Sequence, residues 1–151
     1  MKLHLPKALL LAILCVGMAN AKTLNVGKGS ELKTENGFTV NNGEKVGYLS
    51  NGNFVTSDPS TSDYSNNLLV KGNLEINDGG EVKIIGKQSG TDLSSLRVTG
   101  TVTVGDAGDT GKAVLEASDC QIANLTINTG TVELHYSNST DFSQGNTRGN
   151  N

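Results

Sequence analysis

The acid–base, nucleophilic and metal-binding chemistry open to this 151-residue chain rests on two His, two Cys and 15 Asp and Glu. His4 and Cys15 fall in an apolar N-terminal stretch that reads as a removable leader, so His135 and Cys120 are what remains. Any Ser-His-Asp or Cys-His arrangement would have to use His135. Its neighbours Leu134 and Tyr136 continue a strand-like alternation. That alternation turns the imidazole outward to solvent, and the residue reads as a strand side chain rather than a base. Cys120, between Asp119 and Gln121 near a strand start, reads as a small buried apolar side chain rather than a reactive thiol.

Other groupings carry weaker chemistry. Asn77-Asp78-Gly79-Gly80 and Gly105-Asp106-Ala107-Gly108-Asp109 place carboxylates in glycine turns at comparable points of two repeats. Calcium takes roughly six to eight oxygens, and neither turn has the Gly-Gly-x-Gly-x-Asp pattern of a calcium β-roll, so both read as solvated turns. Zinc-ligand spacing is absent, and no metal or cofactor is expected. Gly27-Lys28-Gly29-Ser30 lacks the spacing of a phosphate-binding loop and no helix pattern follows it, so it reads as a turn. Asn124-Leu125-Thr126 and Asn138-Ser139-Thr140 fit the glycosylation sequon, as chance allows in a chain rich in Asn, Ser and Thr. No residue is assigned a catalytic role.

The elements that must position these residues follow from the hydrophobic pattern. Residues 1–21 combine Lys2 and Lys7, an apolar run from Ala8 to Val16, and Ala19-Asn20-Ala21 as a cleavage pattern, which reads as a signal peptide. The run is shorter than the roughly 20 residues a membrane-spanning helix needs. Leu14 before Cys15 argues against lipid attachment there. Without the leader, 130 residues remain with ten Lys and Arg against fifteen Asp and Glu, a charge of −5, so a basic nucleic-acid surface is not expected. Cys120 is then alone and no internal disulfide can form. Nineteen Gly, no Trp and 4% aromatic residues allow one modest domain and exclude a large multidomain enzyme.

Residues 22–67 hold short β-prone pieces parted by Asn36-Gly37, Asn42-Gly43 and Asn51-Gly52, which predicts a β meander or cap. A polar loop containing Asp58-Pro59 closes this segment. Residues 68–136 repeat: Val70-Lys71-Gly72-Asn73-Leu74-Glu75-Ile76 matches Val98-Thr99-Gly100-Thr101-Val102-Thr103-Val104, and Thr129-Gly130-Thr131-Val132-Glu133-Leu134 reads as a third copy. Their glycines are spaced by 28 and then 30 residues. Strict alternation within each copy marks strands with one buried face. Stacking would place Leu74 beneath Val102 beneath Val132. Val82 and Ile84 are expected to pair with Ala113 and Leu115, and Leu96 and Val98 with Leu125 and Ile127 through a bulge at Asn128 or Thr129. The third copy then ends without a counterpart of Val82 to Ile85. The fold class is all-β: a parallel β-solenoid of about two to three coils behind the meander, with residues 137–151 as a polar tail. The competing architecture is an antiparallel sandwich, which gives matching copies less often.

The repeats Val70 to Ile76, Val98 to Val104 and Thr129 to Leu134, behind a signal peptide, resemble the right-handed β-helix passenger domains of autotransporter proteins. The resemblance covers about half the chain after the leader and implies export through a bacterial outer membrane, with a role in structural display or adhesion. A family member would have many more coils and a C-terminal barrel, whereas this sequence ends in Gln144 to Asn151. The expectation is therefore a fragment of a longer passenger, or a short protein capped by a partner. Expected partners are further copies of the chain or a larger surface assembly, with an unidentified host or glycan ligand. The expected location is secreted or cell-surface, with the periplasm as alternative. Two other functions compete. One is a carbohydrate-binding or polysaccharide-cleaving β-helix, which would need two carboxylates about 5–10 Å apart on an outer face and has only Arg97 and Arg148 to meet an acidic sugar. The other is a short binding module that folds on assembly.

Overall fold

The structure is a computed structural model and describes residues 23–55, 64–87, 94–108 and 112–135. The leader, the Asp58-Pro59 loop, Asp109, Gly111, Tyr136 and the 137–151 tail lie outside the described residues. Among those described, all regular structure is strand. After β1 (Thr23–Asn25), the chain winds a first coil from β2 (Glu31–Thr34), β3 (Phe38–Val40) and β4 (Lys45–Gly47). A short excursion, β5 (Leu49–Ser50) and β6 (Asn53–Phe54), precedes a second coil of β7 (Asn67–Val70), β8 (Leu74–Ile76) and β9 (Glu81–Ile84). In the third coil, β10 (Ser95–Val104) spans the first two strand positions and β11 (Val114–Ala117) takes the third. The fourth repeats this with β12 (Asp119–Ile127) and β13 (Thr131–Leu134).

Among the described residues every pairing except β5–β6 is parallel. One sheet runs β1-β4-β9-β11-β13, and the other runs β2-β7-β10-β8-β3 with β12 against β10. This is the expected parallel β-solenoid. Alternation makes it work: inward residues of each strand stand over their counterparts one coil below. Leu32, Leu68, Leu96 and Cys120 form one column, and Leu24, Val46, Val82, Leu115 and Val132 form another. Leu68, Leu74, Leu96, Val102 and Leu115 are wholly shielded from water. Each such side chain stabilises the fold by about 1.5–3 kcal/mol relative to exposure. A single coil could not bury this face alone, so the columns are the core.

The solenoid takes in more of the N-terminal segment than the meander reading expects. Glu31–Thr34 and Phe38–Val40 lie parallel to β7 and β8, and Lys45–Gly47 lies parallel to β9, so they form a first coil and bring the stack to four among the described residues. What remains of the meander is the β5–β6 hairpin, closed at Asn51-Gly52 with both φ positive, as a tight Asn-Gly turn requires. Asn36-Gly37 and Asn42-Gly43 instead make corners between parallel strands. Their turn chemistry is the same, and only the partner strand distinguishes a corner from a hairpin.

The first two repeats align as expected, with Val70 against Val98, Leu74 against Val102 and Ile76 against Val104. The third copy is corrected. Val102 meets Leu125, whereas Val132 lies in the other sheet against Leu115. Leu96 and Val98 meet Cys120 and Ile122, five residues before the expected partners, and Val82 and Ile84 meet Leu115 and Ala117, two residues beyond theirs. β13 is thus the fourth coil's counterpart of β9, which the repeat pattern alone does not show. The bulge exists but sits earlier, where Thr99 and Gly100 of β10 oppose Ala123. A two-residue slip leaves every side chain on the same face, so alternation by itself cannot detect it.

Buried polar groups fix the corner that carries each coil into the next. Asn66, Ser94 and Ser118 are all fully buried. The Asn66 N–H donates to Ser94 Oγ at 3.1 Å, and the Gly86 N–H donates to Ser118 Oγ at 3.0 Å. These bonds satisfy main-chain donors that the corner takes out of the ladder.

Candidate functional site

Strands β11 and β13 run side by side with Glu116 opposite Glu133. Leu115 and Ala117 point into the core, so Glu116 must point out. Past Leu134 the same alternation brings His135 to the outer face, where its N–H donates to the Ala117 carbonyl at 2.8 Å. The imidazole does not stand free in solvent. His135 Nε2 lies 2.9 Å from Glu116 Oε1 and 3.4 Å from Glu133 Oε1. The outward orientation was legible from alternation. Alternation also puts Glu133, two residues before, on the same face, but it does not give the Glu116 contact, because Glu116 comes from the preceding coil.

The cluster continues down the sheet. Lys83, one coil below Glu116, places Nζ 3.2 Å from Glu116 Oε2, so both oxygens of that carboxylate are engaged. Lys83 Nζ also lies 5.3 Å from the Phe54 ring centroid, with Lys45 Nζ 5.6 Å away and itself paired with Glu81 at 3.8 Å. Phe54 reaches this face because Gly47 leaves space for it. A Cβ at Gly47 would stand 2.9 Å from Phe54 Cε1 and would collide with the Lys83 carbonyl. Side-chain exposure falls from 61% at Glu133 to 25% at His135 and 16% at Glu116, so the cluster is rooted at Glu116. Among the described residues, Glu116, Glu133 and His135 are the one group of three whose potential ligand atoms converge, all within 4.8 Å of one another.

The other singled-out residues stay apart from this cluster. Cys120 is 8% exposed in the Leu32-Leu68-Leu96 column, and burial, aided by the Asp119 charge, pushes its thiol up to about 11. It is the buried apolar cysteine expected. Asp106 accepts the Asp78 N–H at 3.1 Å, and Asp78 accepts the Lys112 N–H. These two carboxylates cap corners of neighbouring coils and satisfy main-chain donors there. Gly29 has positive φ and the Ser30 N–H donates to the Gly27 carbonyl at 3.0 Å, which is the turn expected around Lys28. Arg97 donates to Gln121 at 3.1 Å on the outer face, and Arg148 lies outside the described residues. Asn124 is exposed on β12, whereas Asn138 is outside the described residues.

Fold and site together define a small parallel β-solenoid with a histidine–carboxylate cluster on its outer face, across the third and fourth coils of the described residues. No protein-family model, curated protein or solved structure matches the chain. Among the described residues, no helix is long and apolar enough to cross a membrane.

Proposed function

We propose that the chain is an exported, noncatalytic β-solenoid segment of the autotransporter-passenger type, serving structural display or adhesion at the cell surface. The observation that supports this best is a stack whose inside is continuous and apolar while its outside is a set of polar ladders in register. Thr39, Glu75, Thr103 and Thr126 form one such ladder on successive coils. Lys71 with Glu35, and Arg97 with Gln121, bond across coils elsewhere on the surface. A stack of this kind presents side chains at the fixed strand spacing of about 4.8 Å, which suits a spacer or repetitive contact surface.

The polysaccharide-cleaving alternative draws less support. Glu116 and Glu133 are outward carboxylates on facing strands, but the His135 imidazole lies 2.9 Å from one and 3.4 Å from the other and so occupies the place between them that a glycosidic oxygen would need. Export is tested by expressing the full chain in a Gram-negative host, shaving intact cells with protease, and determining the N-terminus of the product. The expected result is a chain that starts at Lys22 and is cleaved on intact cells. An uncleaved leader and full protection from protease would overturn the reading.

A further inference from the structure

We propose that Glu116, Glu133 and His135 bind one divalent transition-metal ion of the zinc class, as a structural clamp between β11 and β13. Donors in a tetrahedral zinc shell lie about 2.0–2.2 Å from the ion, which sets them about 3.3–3.6 Å from one another. The 3.4 Å between His135 Nε2 and Glu133 Oε1 already meets this spacing. The 2.9 Å between His135 Nε2 and Glu116 Oε1 is a hydrogen-bond distance. It needs to open by about 0.5 Å, and the Glu116–Glu133 edge, within 4.8 Å, needs to close by no more than about 1.5 Å, both within the reach of side-chain torsions.

Charge and ligand type agree with the geometry. Two carboxylates and a neutral imidazole offer an ion a ligand charge of −2, offset to −1 by the Lys83 ammonium paired with Glu116, so the cluster keeps a net negative charge for a divalent ion to meet. An imidazole nitrogen selects zinc and its transition-metal neighbours over calcium and magnesium, which prefer all-oxygen shells. Lys83 holds Glu116 Oε2 and leaves Oε1 aimed at His135, so the coordinating oxygen is already turned to its place. The backbones are fixed as well, by the Glu116–Glu133 register and by the His135 N–H bond to Ala117. Three protein ligands leave a further position for water or for a group on a partner. Because the ligands come from two strands, the unfolded chain has no such site, and binding raises the melting temperature by mass action.

The test uses the full chain purified without a histidine tag and stripped with a chelator. Zinc titration calorimetry is expected to give one ion per chain. Cobalt(II) is expected to give the intense visible absorption of a four-coordinate nitrogen–oxygen site, and zinc to raise the melting temperature. His135→Gln and Glu133→Gln should each weaken zinc binding by roughly tenfold or more. Glu133 is the more exposed of the two, and its variant should keep the metal-free melting temperature of the parent chain. No equimolar zinc binding, retention of parental affinity in folded Glu133→Gln, or equal affinity for calcium would each overturn the proposal.

Discussion

Cys120 stands at the end of the column formed by Leu32, Leu68 and Leu96, and its surroundings make it inert. A thiol held neutral up to about pH 11 is almost free of thiolate at pH 8. A maleimide or disulfide reagent should therefore label it only after denaturation, and rapid labelling of the native chain would contradict the burial. The same shift sets a pH dependence. The unfolded chain loses this proton near pH 9 while the folded chain keeps it to about 11. Stability from Cys120 is thus complete below about pH 9 and falls as pH rises across that window, by at most about 3 kcal/mol. Denaturant melts at pH 8 and pH 10.5 should show this loss in the parent chain and a smaller one in Cys120→Ala. Thr34 presents the opposite case, since its hydroxyl is buried without a partner among the described residues. Thr34→Val keeps the shape and removes the unsatisfied group, so it should stabilise the chain by about 1 kcal/mol in a thermal melt.

At the scale of the element, β10 holds the structure together. It pairs with β7 and β8 on one side and β12 on the other, and its bulge at Thr99-Gly100 lets one strand follow both faces of the corner. Val102 lies in its C-terminal half, fully buried between Leu74 and Leu125. Val102→Asp puts a charge where no partner exists, at a cost of about 4 kcal/mol or more against a total of about 5–15. The expected circular-dichroism melt is abolished or shifted down by tens of degrees, and an unchanged melt would refute the inward assignment. The corner glycine Gly105 restrains the same element from its end. Its φ is +76°, and a Cβ there would run into Thr129 of the next coil. Corner and strand therefore have to be satisfied together.

Across the whole molecule, stability is a sum over neighbouring coils. β9 and β10 have a coil on each side, whereas β1 and β13 each pair with one strand among the described residues. Native-state amide exchange should be slowest along β9 and β10 and fastest in β1 and β13, and uniform protection would indicate that the end coils are covered. Saturating zinc should slow exchange in β13 selectively, because the His135 cluster ties that strand to β11.

The sequence by itself determined the face of each strand, the corners and the all-β class. Alternation such as Leu74-Glu75-Ile76 needs only the two-residue period of an extended chain, and Asn-Gly or Gly-Gly bends the backbone wherever it falls. The outward turn of His135 and the burial of Cys120 were legible for the same reason. Only the tertiary structure decided which strand lies on which. The steps from Leu32 to Leu68 to Leu96 to Cys120 are 36, 28 and 24 residues, because the connections between coils vary in length. A fixed period near 28 therefore aligns the middle copies and misplaces Val132. The same uncertainty hid the candidate site. Glu116 and His135 are 19 residues apart and become neighbours only once parallel register sets β13 against β11. Local pattern reports what one strand does with its own faces, whereas a ladder between coils is a long-range choice made by the packing of the core.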